Sequence, residues 1–158
     1  MPSNKRHHFT RRGFFKTSIA ALATINLVPR HVLGGAGVTP PSEILTRAVI
    51  GTGGMGMGHV TSINTACKLL AVCDTDEKHL QNALKAGGPD VRGYRDFQEV
   101  LARKDIDIVH IPTPPHWHAL ISIAAAKAGK DIWCEKPLSR TIGEGEAVKA
   151  AVAKYNRI

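Results

Sequence analysis

Residues 46–74 read TRAVIGTGGMGMGHVTSINTACKLLAVCD, and no other stretch constrains the fold as tightly. A short apolar strand, Ala48 to Ile50, runs directly into Gly51, Gly53 and Gly56, spaced as GxGxxG. A helical segment follows, and then a second apolar strand, Leu69 to Cys73, ending on Asp74. Each part has a physical job. Gly51 permits the tight turn off the strand, Gly53 lets a pyrophosphate approach the backbone, and Gly56 lets the helix lie close to the sheet. Gly54 and Met55 complete the loop. The helix N-terminus then presents unpaired N–H groups and a partial positive charge to an anion. Asp74 falls 23 residues after Gly51, about where an acid meets the hydroxyls of an adenosine ribose. In this context the motif implies a dinucleotide site. The glycine loop alone would also suit an unrelated α/β protein or a methyltransferase, so later residues must separate these classes.

The rest of the chain alternates strands and helices, which argues for a parallel sheet covered on both faces. The pattern predicts strands at 47–50, 69–73, 91–94, 106–111 and 132–134. It predicts helices at about 55–64, 76–86, 96–102, 116–128 and 141–155. Asp74 or Thr75 is expected to cap the second helix, Asp96 the third, and Thr141 with Glu144 forms a capping box for the last. Ile106 to Ile111 is dense in β-branched residues, as a buried parallel strand should be. The expected fold class is α/β, a Rossmann-type doubly wound parallel sheet. Such sheets usually carry a sixth strand. Ile158 reads as the first residue of that strand, so the domain is expected to be incomplete at its C-terminus.

The N-terminal segment stands apart. Residues 1–42 hold six Lys and Arg and no acid. Thr10-Arg11-Arg12-Gly13-Phe14-Phe15-Lys16 resembles the twin-arginine export signal, with Phe15 in the usual Leu place. The modestly apolar run from Ile19 to Val28 is too short to span a bilayer and fits a signal's apolar region. The expected organisation is a signal peptide at 1–36, a linker at 37–45 and the nucleotide domain at 46–158. The expected partner is the twin-arginine translocase, and the expected location is periplasmic or extracytoplasmic. The whole chain carries a net charge of +8, but without the six N-terminal cations this falls to +2. With 5% aromatic residues as well, nothing argues for nucleic acid. Cys67, Cys73 and Cys134 lack CxxC spacing, so no metal knuckle is implied, and Cys73 and Cys134 are expected to be small buried thiols.

Two further motifs separate the classes. Ile111-Pro112-Thr113-Pro114-Pro115-His116-Trp117-His118 follows the fourth strand, and Cys134-Glu135-Lys136-Pro137-Leu138 follows the fifth. With the glycine loop, they resemble the Gfo/Idh/MocA oxidoreductases over residues 46–158. Methyltransferases lack the Glu-Lys-Pro turn. The resemblance implies NAD as cofactor, with NADP less favoured because Asp74 would repel a 2′-phosphate. It implies a sugar or polyol substrate. It casts Lys136 as the catalytic group that holds a substrate hydroxyl or moves its proton, and Glu135 as a cofactor-proximal acid. Pro137 stiffens the turn, and in this family the Lys-Pro bond is often cis. Thr113 and Pro114 resemble residues lining the nicotinamide end, and His116, Trp117 and His118 are candidates to border the cofactor. A metal between His116 and His118 is not expected, because residues i and i+2 on a helix point about 200° apart. His59, His79 and His110 carry no signal, and Met55 and Met57 are expected to pack around the loop.

The family's second domain supplies an Asp and a His that complete catalysis. The 158 residues are therefore expected to be inactive alone. The rival readings are a non-catalytic dinucleotide-binding module and half of an NAD-dependent glycosidase of the same family. A homo-oligomer of the full-length form is left open.

Overall fold

The computed structural model describes residues 40, 43–62 and 67–158. The expected signal peptide and residues 37–39 and 41–42 of the expected linker therefore lie outside the described residues, as does the end of the first predicted helix.

The described chain builds five parallel strands: β1 (Leu45–Ile50), β2 (Cys67–Cys73), β3 (Arg92–Tyr94), β4 (Ile108–Ile111) and β5 (Asp131–Cys134). Five helices connect and follow them: α1 (Gly54–Thr61), α2 (Glu77–Gly87), α3 (Phe97–Leu101), α4 (Pro115–Lys127) and α5 (Ile142–Tyr155). The sheet order is β3-β2-β1-β4-β5, so the chain winds outward from β1 to β3 and then returns to the other side of β1. This reversal between β1 and β4 opens a crevice at the strands' carboxyl ends, where ligands of such sheets bind.

The two-residue period of the strands divides the core into two layers. On one face Ala48 and Ile50 of β1, Ala71 and Cys73 of β2 and Val109 and Ile111 of β4 pack with Val100, Leu101, Ile121 and Ala125. On the other face Val49 and Val72 meet Val60, Leu80, Ala83 and Val91. Each fully buried Val or Ile contributes about 1.5–3 kcal/mol relative to exposure.

Several boundaries differ from expectation, each for a local reason. The cap of α2 is Asp76, whose side chain accepts from the N–H groups of Lys78 and His79. Asp74 is turned back toward Thr52 and cannot serve as the cap. Strand β4 begins at Ile108 rather than 106, because the Ile106 carbonyl accepts from the buried Lys130 ammonium at 2.8 Å instead of joining the ladder. Helix α3 is a five-residue piece, capped by Asp96. Thr141 and Glu144 form the expected capping box at α5. Cys73 is buried, and that burial pushes its thiol up to about 12, whereas Cys134 is only half-buried. The Ile158 carbonyl accepts from the Ile132 N–H at 2.7 Å, so this residue lies beside the β5 edge.

Candidate cofactor site

The three motif glycines make one tightly fitted turn. Gly51 has φ +95° and donates its N–H to the Cys73 carbonyl at 2.7 Å. A Cβ at Gly51 would lie 2.8 Å from Thr113 Cγ2 and 3.0 Å from the Thr113 nitrogen, so the glycine is what brings β1 and β4 together here. A Cβ at Gly56 would overlap the Gly51 carbonyl oxygen and lie 2.8 Å from its carbon. A Cβ at Gly53 would meet only the edge of the His79 ring, in ordinary contact at 3.7 Å. Gly54 begins α1 with nothing close to it. The N-cap of α1 is Gly53 and provides no side-chain acceptor, whereas α2, α3 and α5 are each capped by a side chain. Helix α1 thus presents uncapped N–H groups beside a glycine, an arrangement that attracts an anion.

These residues form one wall of a cleft of about 600 Å³. Ile50, Gly51, Gly53 and Gly54 line it from the glycine turn; Asp74, Thr75, Asp76 and His79 from the end of β2 and the start of α2. Arg95 and Phe97 close the β3 side, and Pro112, Thr113, Pro114, Trp117 and Ile121 the β4 side. The residues fit a dinucleotide on two observations: the uncapped glycine turn, and Thr113, which lines the cleft and whose buried Oγ1 has no partner among the described residues.

Asp74 is held firmly. Its Oδ2 accepts from the Thr52 N–H at 2.7 Å and the Thr52 hydroxyl at 3.1 Å, and its Oδ1 accepts from the Asp76 N–H at 2.9 Å. The acid therefore ties the glycine turn to the end of β2, and keeps part of its acceptor capacity for a ligand.

The β4 motif divides between the cleft and the core. Helix α4 starts at Pro115 with Pro114 as its N-cap, and successive residues turn by about 100°. Trp117 consequently faces the cleft and is 44% exposed, while His116 is exposed away from it. His118 is buried behind the wall. Its Nε2 lies 2.6 Å from the Thr113 carbonyl and its Nδ1 2.7 Å from the Pro137 carbonyl. It thus joins the two motif loops from the rear. Met55, expected to pack around the loop, is exposed because it leads the first turn of α1 on its solvent side, whereas Met57 packs on the core.

Glu135, Lys136 and Pro137 follow β5 on a turn with a cis Lys136–Pro137 bond, beyond the walls of the cleft. Lys136 is exposed, and its ammonium is not paired with any described residue. Glu135 is held below the usual carboxylate range, chiefly by a hydrogen bond from His59 at 2.9 Å. Sequence reasoning missed Thr52, Asp76, His79, Arg95 and Phe97. Arg95 and Phe97 had a usable signal, since they fall just past the end of β3, where an open sheet presents its ligands. The contact of His59 with Glu135 had none, because the two residues are 76 positions apart.

A glycine turn at a topological switch point, an uncapped helix and an acid at the end of β2 define a nucleotide-binding α/β domain. A family model described as an oxidoreductase family with an NAD-binding Rossmann fold (GFO_IDH_MocA) matches residues 45–158, and the chain belongs to that family. A glycosyl hydrolase family 109 protein of Shewanella pealeana is 31% identical over 162 residues, covering 91% of this chain and 36% of the relative. An alpha-N-acetylgalactosaminidase of Shewanella oneidensis is 31% identical over 163 residues, covering 87% and 36%. Among solved structures, myo-inositol 2-dehydrogenase from Lactobacillus plantarum aligns with a TM-score of 0.66 at 28% identity, over 72% of this chain and 34% of that one. The WlbA dehydrogenase from Chromobacterium violaceum, solved with NADH and UDP-GlcNAcA, aligns at 0.68 and 28% identity, over 73% and 34%. The chain thus spans about a third of the length of these relatives.

Proposed function

We propose that this chain is the nucleotide-binding half of an NAD-dependent oxidoreductase that acts on a sugar or polyol. The observation that carries this reading is Gly53 beside the uncapped start of α1, facing a cleft that Thr113 and Trp117 line from the opposite side. The uncapped N–H groups of α1 would hold the pyrophosphate, and Asp74 the adenosine ribose. Thr113 Oγ1, Pro114 and Trp117 would meet the nicotinamide end. Bound there, the nicotinamide would accept or return a hydride. Lys136 would hold the substrate hydroxyl and carry its proton, with the substrate's other wall coming from a second domain. Asp74 and Asp76 favour the free ribose of NAD over a 2′-phosphate, while Lys78, His79 and Arg95 oppose that preference.

A second reading within the family has its own support. The curated relatives at 31% identity bear glycosidase names. In that case the sugar would be oxidised and then re-reduced around the cleavage of a glycosidic bond, with no net change of the cofactor. The N-terminal segment would direct twin-arginine export of the folded protein. Calorimetric titration tests the cofactor assignment: NAD should bind more tightly than NADP. Equal or tighter NADP would overturn the preference, and no binding of either would overturn the site.

A further inference from the structure

Three side chains distant in sequence meet under the turn that follows β5. His59 comes from α1, His110 from β4 and Glu135 from the turn itself. His59 Nε2 lies 2.9 Å from Glu135 Oε1, and His59 Nδ1 lies 3.1 Å from His110 Nδ1. The two imidazoles meet edge to face at 88°, and His110 stacks on Trp133 with ring centres 5.6 Å apart. Arg47 of β1 closes the cluster from behind. It is buried, and its guanidinium donates to the carbonyls of His59 at 2.7 Å and Ser62 at 3.0 Å, fixing the end of α1 that carries His59. Lys136, next on the turn, donates its backbone N–H to Glu135 Oε2 at 3.4 Å.

The hydrogen positions follow from the chemistry. An ionised carboxylate can only accept, so His59 Nε2 must carry the hydrogen that faces Glu135. In a neutral imidazole the other nitrogen is then an acceptor. The His59–His110 contact then needs one hydrogen between the two Nδ1 atoms, carried by His110 when His59 is neutral and by His59 when it is protonated. His110 is kept neutral mainly by burial, with the Arg47 charge acting in the same direction, which pushes it down to about 4. In either case His59 Nε2 donates to Glu135. Simple packing would need neither ring nitrogen, yet both nitrogens of His59 are engaged, and the chain of contacts ends on the carboxylate that precedes Lys136.

We propose that His59, backed by His110, is a positioning residue of the oxidoreductase site that holds the Glu135 carboxylate, and with it the turn that carries Lys136, in place. This rests on the reading that the Glu-Lys-Pro turn belongs to the reaction site, but its test does not depend on cofactor or turnover.

Long-range proton–nitrogen spectra of the 158-residue chain near neutral pH should show a hydrogen on His59 Nε2. Carbon-13 titration of the Glu carboxyls then gives the midpoint of Glu135. His59→Leu should raise the Glu135 midpoint, because the donor is lost. His59→Gln places an amide donor near the former Nε2 and should restore the Glu135 midpoint. A His59 Nε2 that carries no hydrogen in the unaltered chain would overturn the proposal, and that measurement needs no substitution. An unchanged Glu135 midpoint in folded His59→Leu would overturn it as well. A chain that binds no NAD yet shows this hydrogen and this shift would refute the cofactor reading alone.

Discussion

Replacing Gly56 by Ala tests how the glycine turn is built. The new Cβ would overlap the Gly51 carbonyl oxygen, lie 2.8 Å from the Gly51 carbonyl carbon and 3.3 Å from Pro112 Cγ. The nearest obstacles are backbone, so no side chain can rotate out of the way. Gly51 has little freedom to retreat, since its N–H is bonded to Cys73 at 2.7 Å and Thr113 crowds its other side. Helix α1 must therefore lift off the turn. Overpacking of this kind costs about 1–3 kcal/mol. The helix propensity of Ala over Gly offsets up to about 1 kcal/mol of that. Gly58, two residues further along α1, supplies the control. A Cβ there meets nothing within 4 Å, so Gly58→Ala should stabilise by about 0.5–1 kcal/mol. Urea unfolding should move the midpoint in opposite directions for the two variants with unchanged slope. Thermal midpoints should shift by about 3–6 °C per kcal/mol. Gly56→Ala should also lose at least about tenfold in NAD affinity, or about 1.4 kcal/mol, while Gly58→Ala keeps it. A Gly56→Ala protein as stable as Gly58→Ala, with unaltered NAD affinity, would refute the close approach of α1 to the turn.

Stability should fall in mild acid because of His110. Its folded value is depressed from 6.5 to about 4, so its contribution is complete above 6.5 and is lost as pH falls through about 4. At full weight that difference is worth about 3 kcal/mol, and partial solvent access reduces it to about 1–2 kcal/mol. Urea unfolding between pH 7 and pH 4 should show this loss, and a His110→Leu variant with the same pH slope would contradict it. In an intact relative with the same Glu-Lys-Pro turn, the change equivalent to Lys136→Ala should lower turnover by about 10²–10⁴-fold and leave the NAD dissociation constant unchanged; steady-state kinetics with calorimetry would detect an effect on binding instead. Residues 1–42 fused to a folded reporter should carry it out of the cytoplasm, and changing Arg11 and Arg12 to Lys should stop this. Export that survives the double change would count against a twin-arginine signal.

The sheet was legible because its signals are local. The β-branched run ending at Ile111, the glycines at 51, 53 and 56 and the capping box at Thr141 each act within a few residues, so periodicity and spacing reveal them. Asp74 was placed correctly at the end of β2 and on the cleft. Its three hydrogen bonds to Thr52 and Asp76 were not legible, because they depend on how the turn folds back. The same holds for the start of β4, which is set by Lys130 from 24 residues away. His118 shows the limit most clearly. Its position in the motif gives no sign that it faces inward to bridge two carbonyls, whereas its neighbour Trp117 faces the cleft. His59, His110 and Glu135 come together only through the parallel pairing of β1, β4 and β5, which composition and spacing do not encode.

The central claim is that the glycine turn is where the dinucleotide binds. Amide proton–nitrogen spectra recorded while NAD is titrated into the chain test it residue by residue. The account predicts that the amides of Gly53 to Met57 and of Thr113 shift along one saturable curve, with Thr52 and Asp76 following. Saturating NAD that leaves the amides of 53–57 unmoved, or that shifts only residues away from the β1–β4 crevice, would contradict it.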